Sequence, residues 1–377
     1  MLRTQGTQWV KADGSAIELK GVNLGNWMMP EFWMMGYGDN AAVNDQCTLQ
    51  AVLDRRFGFA QRERLLKLFR DHWMTQRDWD LIPQFRLNLV RLPFIWSVIE
   101  DEKIRATCAP MPGITWIRPS SRPKGAACMW CWTCTAPSVP RAPSTTAAAP
   151  ARTCTGARRS TSNAPPGWGS TAEQLAAVVK ALYTAVRALD PKHIIILPDH
   201  PKGITAYGKT SARGMHDVVF ETHPYPGFFG WGKPRLEVHR DWLQCSPDGG
   251  GLCQWQARMA ALNTPLYIGE FQPWAELEPE LSGQITRASF DAYAKLGWAS
   301  TAWSFKKLSR SGGLAPLNWG LVTNAQGAGV PELDFEKASL TEIENFFKLF
   351  ASVPYQINAP VHKWMNSATA PEPFKRP

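Results

Sequence analysis

Between Lys103 and Ala172 the chain has no aspartate, no glutamate, no leucine and no phenylalanine. A folded α/β segment of that length needs aliphatic residues to bury, so regular barrel elements are not expected there. The same block holds nine of the 41 basic residues, and taking them away leaves 32 basic against 32 acidic residues. The net charge of +9 is therefore local to this block. A nucleic-acid surface would spread its Lys and Arg over a folded face, so no nucleic-acid partner is expected. No run of eighteen apolar residues occurs, which excludes a membrane-spanning helix. Residues 1–14 also lack the apolar core of a secretory signal. Cysteine is scarce outside the block, which holds five of the eight. Cys128, Cys131 and Cys134 have zinc-knuckle spacing, but a structural site needs four ligands and the flanking histidines, His72 and His193, are far away in sequence. No metal site is expected in the block.

What is present outside the block is an alternation of short apolar runs with amphipathic segments, the pattern of repeated β-α units. With 377 residues, 44% of them hydrophobic, the chain can bury one large core. Strands are expected over residues 17–27, 86–94, 193–197, 218–223, 266–270 and 298–305, with a shorter strand, turn and strand over 8–19. Helices are expected over 60–69, continuing towards 82, and over 171–189, 285–296 and 340–350, the last closing the chain. In the second of these Leu175, Val178, Val179, Leu182 and Val186 would line one face, with Ser170 or Thr171 as cap. Gly297 would end the third. These units make one (β/α)8 TIM barrel spanning residues 1–377, short of about two strands and two helices. The shortfall falls in the anomalous stretch 105–166, in the region of the third and fourth strands.

The genetic code offers a test of that stretch. Met129 to Ala136 must be encoded ATG-TGG-TGY-TGG-ACN-TGY-ACN-GCN. Read from the third base of each codon, this gives Val, Val, Leu and Asp by necessity, then residues compatible with Leu, His and Gly. The hidden message reads as a barrel strand ending in a polar histidine. Out-of-frame translation, with an accompanying deletion, accounts for the block; a Pro/Ala/Thr-rich insert is the alternative.

In the remaining sequence, Gly21-Val22-Asn23-Leu24-Gly25-Asn26-Trp27 is followed by Glu31-Phe32-Trp33 and Asp71-His72-Trp73-Met74-Thr75. Further on come Asn88-Leu89-Val90-Arg91-Leu92-Pro93, His223-Pro224-Tyr225, Ile268-Gly269-Glu270-Phe271 and Trp303-Ser304-Phe305-Lys306. In this order, over roughly residues 15–102 and 168–350, the motifs resemble glycoside hydrolase family 5 (cellulase family A), closest to its exo-β-1,3-glucanase-like members. The resemblance implies a retaining two-carboxylate hydrolase of β-glucans, mostly extracellular in the family, working without metal or cofactor on an oligo- or polysaccharide, and expected to be a monomer.

The same resemblance assigns roles. Glu270 would be the nucleophile and Arg91 the arginine beside it. His223 and Tyr225 would orient the nucleophile and the sugar. Trp303 would be the aromatic platform next to the cleavage point and Glu31 a contact to a sugar hydroxyl, while Trp27 and Trp33 could each equally be cleft or core. The family's acid/base glutamate follows an asparagine after the fourth strand and precedes a pair like Trp168-Gly169. Here that place reads Asn163-Ala164-Pro165-Pro166-Gly167, with no carboxylate. A hydrolase lineage that has lost its proton donor is the first reading, and a catalytically inactive carbohydrate-binding barrel the second.

Overall fold

The computed structural model describes residues 1–38, 41–95, 98, 172–199, 203–229, 233, 235–246, 248–273, 277–314 and 320–375. The acid-free block, with Cys128, Cys131, Cys134, the 163–167 stretch, Ser170 and Thr171, lies outside them.

The chain opens with an antiparallel pair, β1 (Arg3–Gln5) and β2 (Gln8–Val10), followed by β3 (Lys20–Asn23). Three helices follow, α1 (Gln46–Phe57), α2 (Phe59–Trp73) and α3 (Gln76–Leu81), leading to β4 (Leu89–Arg91). Then come α4 (Ala172–Leu189), β5 (Ile195–Pro198), β6 (Val218–Thr222), α5 (Leu236–Leu243), α6 (Leu252–Leu262) and β7 (Leu266–Phe271). The last part holds α7 (Pro279–Lys295), β8 (Ala299–Ala302), β9 (Val322–Asn324), α8 (Leu340–Ser352), β10 (Tyr355–Ile357) and α9 (Ala359–Asn366).

Six of these strands form one parallel sheet in the order β4-β3-β8-β7-β6-β5. The pairing of β3 with β8 joins the first strand of the sheet to the last, which is the seam of a closed (β/α)8 barrel. The two remaining edges, β4 and β5, are consecutive in the described chain and bracket the undescribed stretch 99–171. On the other side of β3, the pairing with β4 is tight. A Cβ on Gly21 would lie 2.3 Å from the carbonyl oxygen of Leu89, so only glycine lets β3 and β4 approach at that register.

The sheet is covered by an aromatic layer between α2 and α8. Phe69 meets Phe347 and Phe350 edge-on, and Trp73 meets Phe350, with ring centroids 5.2–5.8 Å apart. A buried ion pair sits beneath it. Lys306, just beyond β8, donates to Asp78 at 2.8 Å, with both side chains fully buried. Its ammonium also donates to Tyr355 and to the carbonyl of Trp73. The other oxygen of Asp78 closes a capping box with Thr75 at the start of α3. The Lys306 of the Trp-Ser-Phe-Lys motif is thus a staple joining β8, α2, α3 and β10.

Several expectations are corrected. The helix expected to run from residue 60 towards 82 breaks at Met74, because Thr75 caps a new helix there. Residues 340–350 do not close the chain, since α9 follows with Asn358 as its cap and Pro360 in its first turn. The strand at 193–197 is not fully buried: β5 is half-buried, with an exposed Pro198, and is an edge among the described strands. On α4 the buried stripe is Leu175, Val179 and Tyr183, while Leu182 and Val186 are exposed. A spacing of four residues keeps those three in line, and Leu182 and Val186 fall beside it. The remaining expected strands appear, shorter than expected except β7, which runs one residue further to Phe271. Trp27 is structural: its indole donates to the Arg70 carbonyl at 2.9 Å and packs edge-on against Trp79.

A disulfide joins Cys245, just past α5, to Cys253 in the first turn of α6, with Cα atoms 5.5 Å apart. It closes a short loop, and loop-closure entropy assigns such a bridge about 2–3 kcal/mol. Replacing both cysteines by serine should lower the unfolding temperature by a few degrees in calorimetry. No change would mean that the α5–α6 turn is held by packing alone.

Candidate active site

Glu270 is the one partly exposed residue of an otherwise buried strand, β7. Its side chain, 18% exposed, emerges at the carboxyl end of the sheet. A bulge aims it. Between Ile268 and Phe271 β7 advances three residues while its partner β8 advances two, from Ser300 to Ala302. The extra residue falls at Gly269–Glu270, where a local twist re-aims a side chain.

Both carboxylate oxygens of Glu270 are bonded. Arg91, the last residue of β4 and 2% exposed, donates from Nη1 to Oε1 at 2.7 Å. Tyr225 donates its hydroxyl to Oε2 at 2.8 Å. Charge-assisted bonds of this length are the strong class and fix the carboxylate's plane. Burial first, and the Glu270 charge second, hold the Tyr225 hydroxyl well above the ordinary phenol range, so it remains a donor. The same Nη1 of Arg91 donates to Asn23 Oδ1 at 2.7 Å, and Asn23 Nδ2 donates to the Gly269 carbonyl at 2.9 Å. Asn23 therefore ties β3 to both the guanidinium and the backbone beneath Glu270. His223 brings Nδ1 to 3.5 Å from Glu270 Oε2, a contact too long for a good hydrogen bond.

A residue missed in the sequence lies under these groups. Glu221, the fourth of five residues in the buried strand β6, is 2% exposed at its side chain. Its Oε1 forms an ion pair with Arg91 Nε at 3.1 Å and accepts from His223 Nε2 at 3.0 Å. The acidic residue within Val218-Val219-Phe220-Glu221-Thr222 was the signal, since a buried charge must be paired.

The second wall of the site carries Glu31, Trp33, Met34 and Trp303. Trp33 Nε1 donates to Glu31 Oε2 at 2.9 Å. Met34, Tyr225 and Trp303 form one buried apolar cluster, against which Trp33 and Phe228 pack. Lys307 lies over the Trp33 ring at 5.4 Å, and burial draws its ammonium down to about 8. The structure thus brings Glu270, Arg91, Tyr225 and His223 into direct contact, with Trp303 joined to them through Tyr225. Glu31 and Trp33 stand beside them. Burial pushes the Glu31 carboxyl up to about 8; the Trp33 bond opposes the rise and the Glu270 charge adds to it. Glu31 accordingly keeps its proton at neutral pH.

No group of three or more His, Cys, Asp or Glu residues suited to a metal ion occurs among the described residues. No protein-family model matches the chain. A β-xylosidase of Phanerodontia chrysosporium is 30% identical over 101 residues, which are 27% of this chain and 20% of that protein. The chain thus spans about a fifth of the length of that relative. Solved structures it resembles include AoRut, with a TM-score of 0.49 and 15% identity over 82% of this chain and 92% of that one. The rutinosidase from Aspergillus niger gives 0.48 and 13%, covering 88% and 98%. A GH5-4 broad specificity endoglucanase from Clostridium longisporum gives 0.44 and 10%, covering 89% and 97%.

The raised Glu31 carboxyl has a signed consequence. Between its ordinary value of 4.5 and about 8 the folded state binds more protons at Glu31 than the unfolded chain does. Its contribution to stability therefore falls as pH rises through that window. Glu31→Gln stays neutral throughout, so the variant should gain in unfolding temperature over the wild type between pH 5 and pH 8. An equal difference at both pH values would show that Glu31 ionises freely in the fold.

Proposed function

We propose that this chain descends from retaining glycoside hydrolases of family 5, built to cleave β-glucans, with Glu270 as nucleophile and the acid/base carboxylate lost. One observation carries the reading. Glu270 stands at the carboxyl-terminal rim of a parallel barrel, where such folds place their chemistry, with each oxygen held by a donor, Arg91 or Tyr225. The order of the sequence motifs supports the same assignment, as does the 101-residue likeness to a β-xylosidase. The Cys245–Cys253 bridge agrees with an extracellular protein, since such bonds persist in oxidising surroundings.

In this reading Glu270 attacks the anomeric carbon. A carbon–oxygen bond forms to the carboxylate while the bond to the leaving oxygen breaks, and the electron pair departs with that oxygen. Arg91 and Tyr225 keep the carboxylate in its attacking plane. His223 stands beside them, its Nδ1 3.5 Å from Glu270 Oε2. Trp33, partly buried, offers ring surface to a pyranose, while Trp303, only 6% exposed, packs with Met34 and Tyr225. Glu31, carrying its proton, offers one hydroxyl donor to a sugar oxygen and keeps an acceptor for Trp33. Departure of an ordinary sugar alkoxide needs a proton, which a second carboxyl about 5–5.5 Å from the nucleophile supplies in retaining enzymes. Glu221 is locked below Arg91 and His223, and no carboxylate stands in residues 163–167. That absence favours the second reading, a barrel that binds carbohydrate without turning it over.

The chain should release dinitrophenolate from a dinitrophenyl β-glucoside, whose leaving group needs no proton, with azide accelerating turnover as a glucosyl azide forms. Loss of acid assistance typically costs about 10²–10⁴ in rate, so hydrolysis of β-glucans should be at or below detection. Restoring the inferred reading frame should return glucanase activity, and Glu270→Gln should abolish it. Binding of β-glucan without any dinitrophenolate release would favour the second reading. Ordinary glucan turnover by the chain as it stands would mean that another carboxyl, with Glu31 the first to test, supplies the proton.

A further inference from the structure

The Glu221 carboxylate is buried near the carboxyl end of β6, and one of its oxygens meets both neighbours of Glu270: Arg91 Nε at 3.1 Å and His223 Nε2 at 3.0 Å. Each of those side chains presents a different nitrogen to Glu270, Arg91 through Nη1 at 2.7 Å and His223 through Nδ1 at 3.5 Å. The room for this arrangement comes from β7. A Cβ on Gly269 would lie 2.0 Å from Glu221 Oε1 and 2.7 Å from His223 Nε2. A side chain at 269 would therefore drive Glu221 and His223 off their positions, and the glycine preceding Glu270 has a steric reason.

We infer that Glu221 is a positioning residue for Glu270: it grips Arg91 and His223 from below so that both turn their remaining nitrogens to the nucleophile, and Gly269 leaves it the space. The carboxylate fixes the histidine as well as the arginine. An anion can only accept at Nε2, so that nitrogen carries the proton and the ring cannot turn over. Glu221 touches no sugar in this scheme and acts through its two partners. The activity arm of the test rests on Glu270 being the nucleophile, while the spectroscopic arm does not.

The experiment uses the full chain with Glu221→Gln, which keeps the shape and removes the charge, and Gly269→Ala, which displaces the carboxylate without altering it. Nitrogen-15 and proton NMR of the His223 ring should show a downfield Nε2–H in the wild type. That resonance should move upfield in Glu221→Gln and disappear in Gly269→Ala. Dinitrophenolate release from the dinitrophenyl β-glucoside should fall about 10–100-fold in both, as expected for a nucleophile displaced by up to about 1 Å. Unchanged His223 resonances in both variants overturn the inference, whatever the rates. Shifted resonances with a wild type that releases no dinitrophenolate keep the positioning role and remove the proposed hydrolase activity instead.

Discussion

A single buried guanidinium organises the site. Arg91 is nearly inaccessible, and its surroundings supply Glu270, Glu221 and the Asn23 amide oxygen as partners drawn from three other strands. A cation so deep in a barrel is tolerated only when its hydrogens are matched, and removing one partner of such a cluster typically costs about 3–5 kcal/mol. The cluster therefore couples fold and chemistry. The strands β3, β4, β6 and β7 must hold their registers for Arg91 to be satisfied, and when they do, Glu270 is delivered to the rim in one orientation. Asn23 extends the coupling, since it accepts from Arg91 and donates to the Gly269 carbonyl beside Glu270.

The rest of the barrel supports that geometry. The close approach at Gly21 fixes β3 against β4, and the bulge at Gly269–Glu270 sets the angle of the Glu270 side chain. The Lys306–Asp78–Tyr355 staple secures the segment that follows β8, which carries Trp303. Burial draws Lys306 down to about 8, with the Asp78 charge opposing, so the staple stays an ion pair at neutral pH. The aromatic layer of α2 and α8 seals it from solvent.

Much of this was legible in the residues. Strands that end in polar side chains marked Arg91, His223 and Glu270, because a barrel rim is where an apolar run gives way to polar groups. Glu221 escaped notice because it lies inside a strand, where pattern reading expects core; only its pairing with Arg91 and His223 gives it meaning. Helix α1 was missed because buried Gln46 and Gln50 interrupt its apolar face. Helix α9 was missed because Pro360 in its first turn resembles a stop signal. The Cys245–Cys253 pairing could not be deduced from eight cysteines whose partners are set only by folding. Leu182 and Val186 were assigned to a buried face by helical spacing alone, which gives the direction of a face and not the width of what covers it.

The central claim is that Glu270 is the residue that bonds covalently to a sugar. A 2-deoxy-2-fluoro-β-glucoside with a dinitrophenyl leaving group forms a long-lived glycosyl-enzyme, because the fluorine slows its breakdown and departure needs no proton. After incubation and proteolysis, mass spectrometry should find the fluoroglucosyl group on the peptide containing Glu270 and on that residue. A stable adduct on Glu31 or another carboxylate, or no adduct in a protein shown to bind the sugar, would contradict the account.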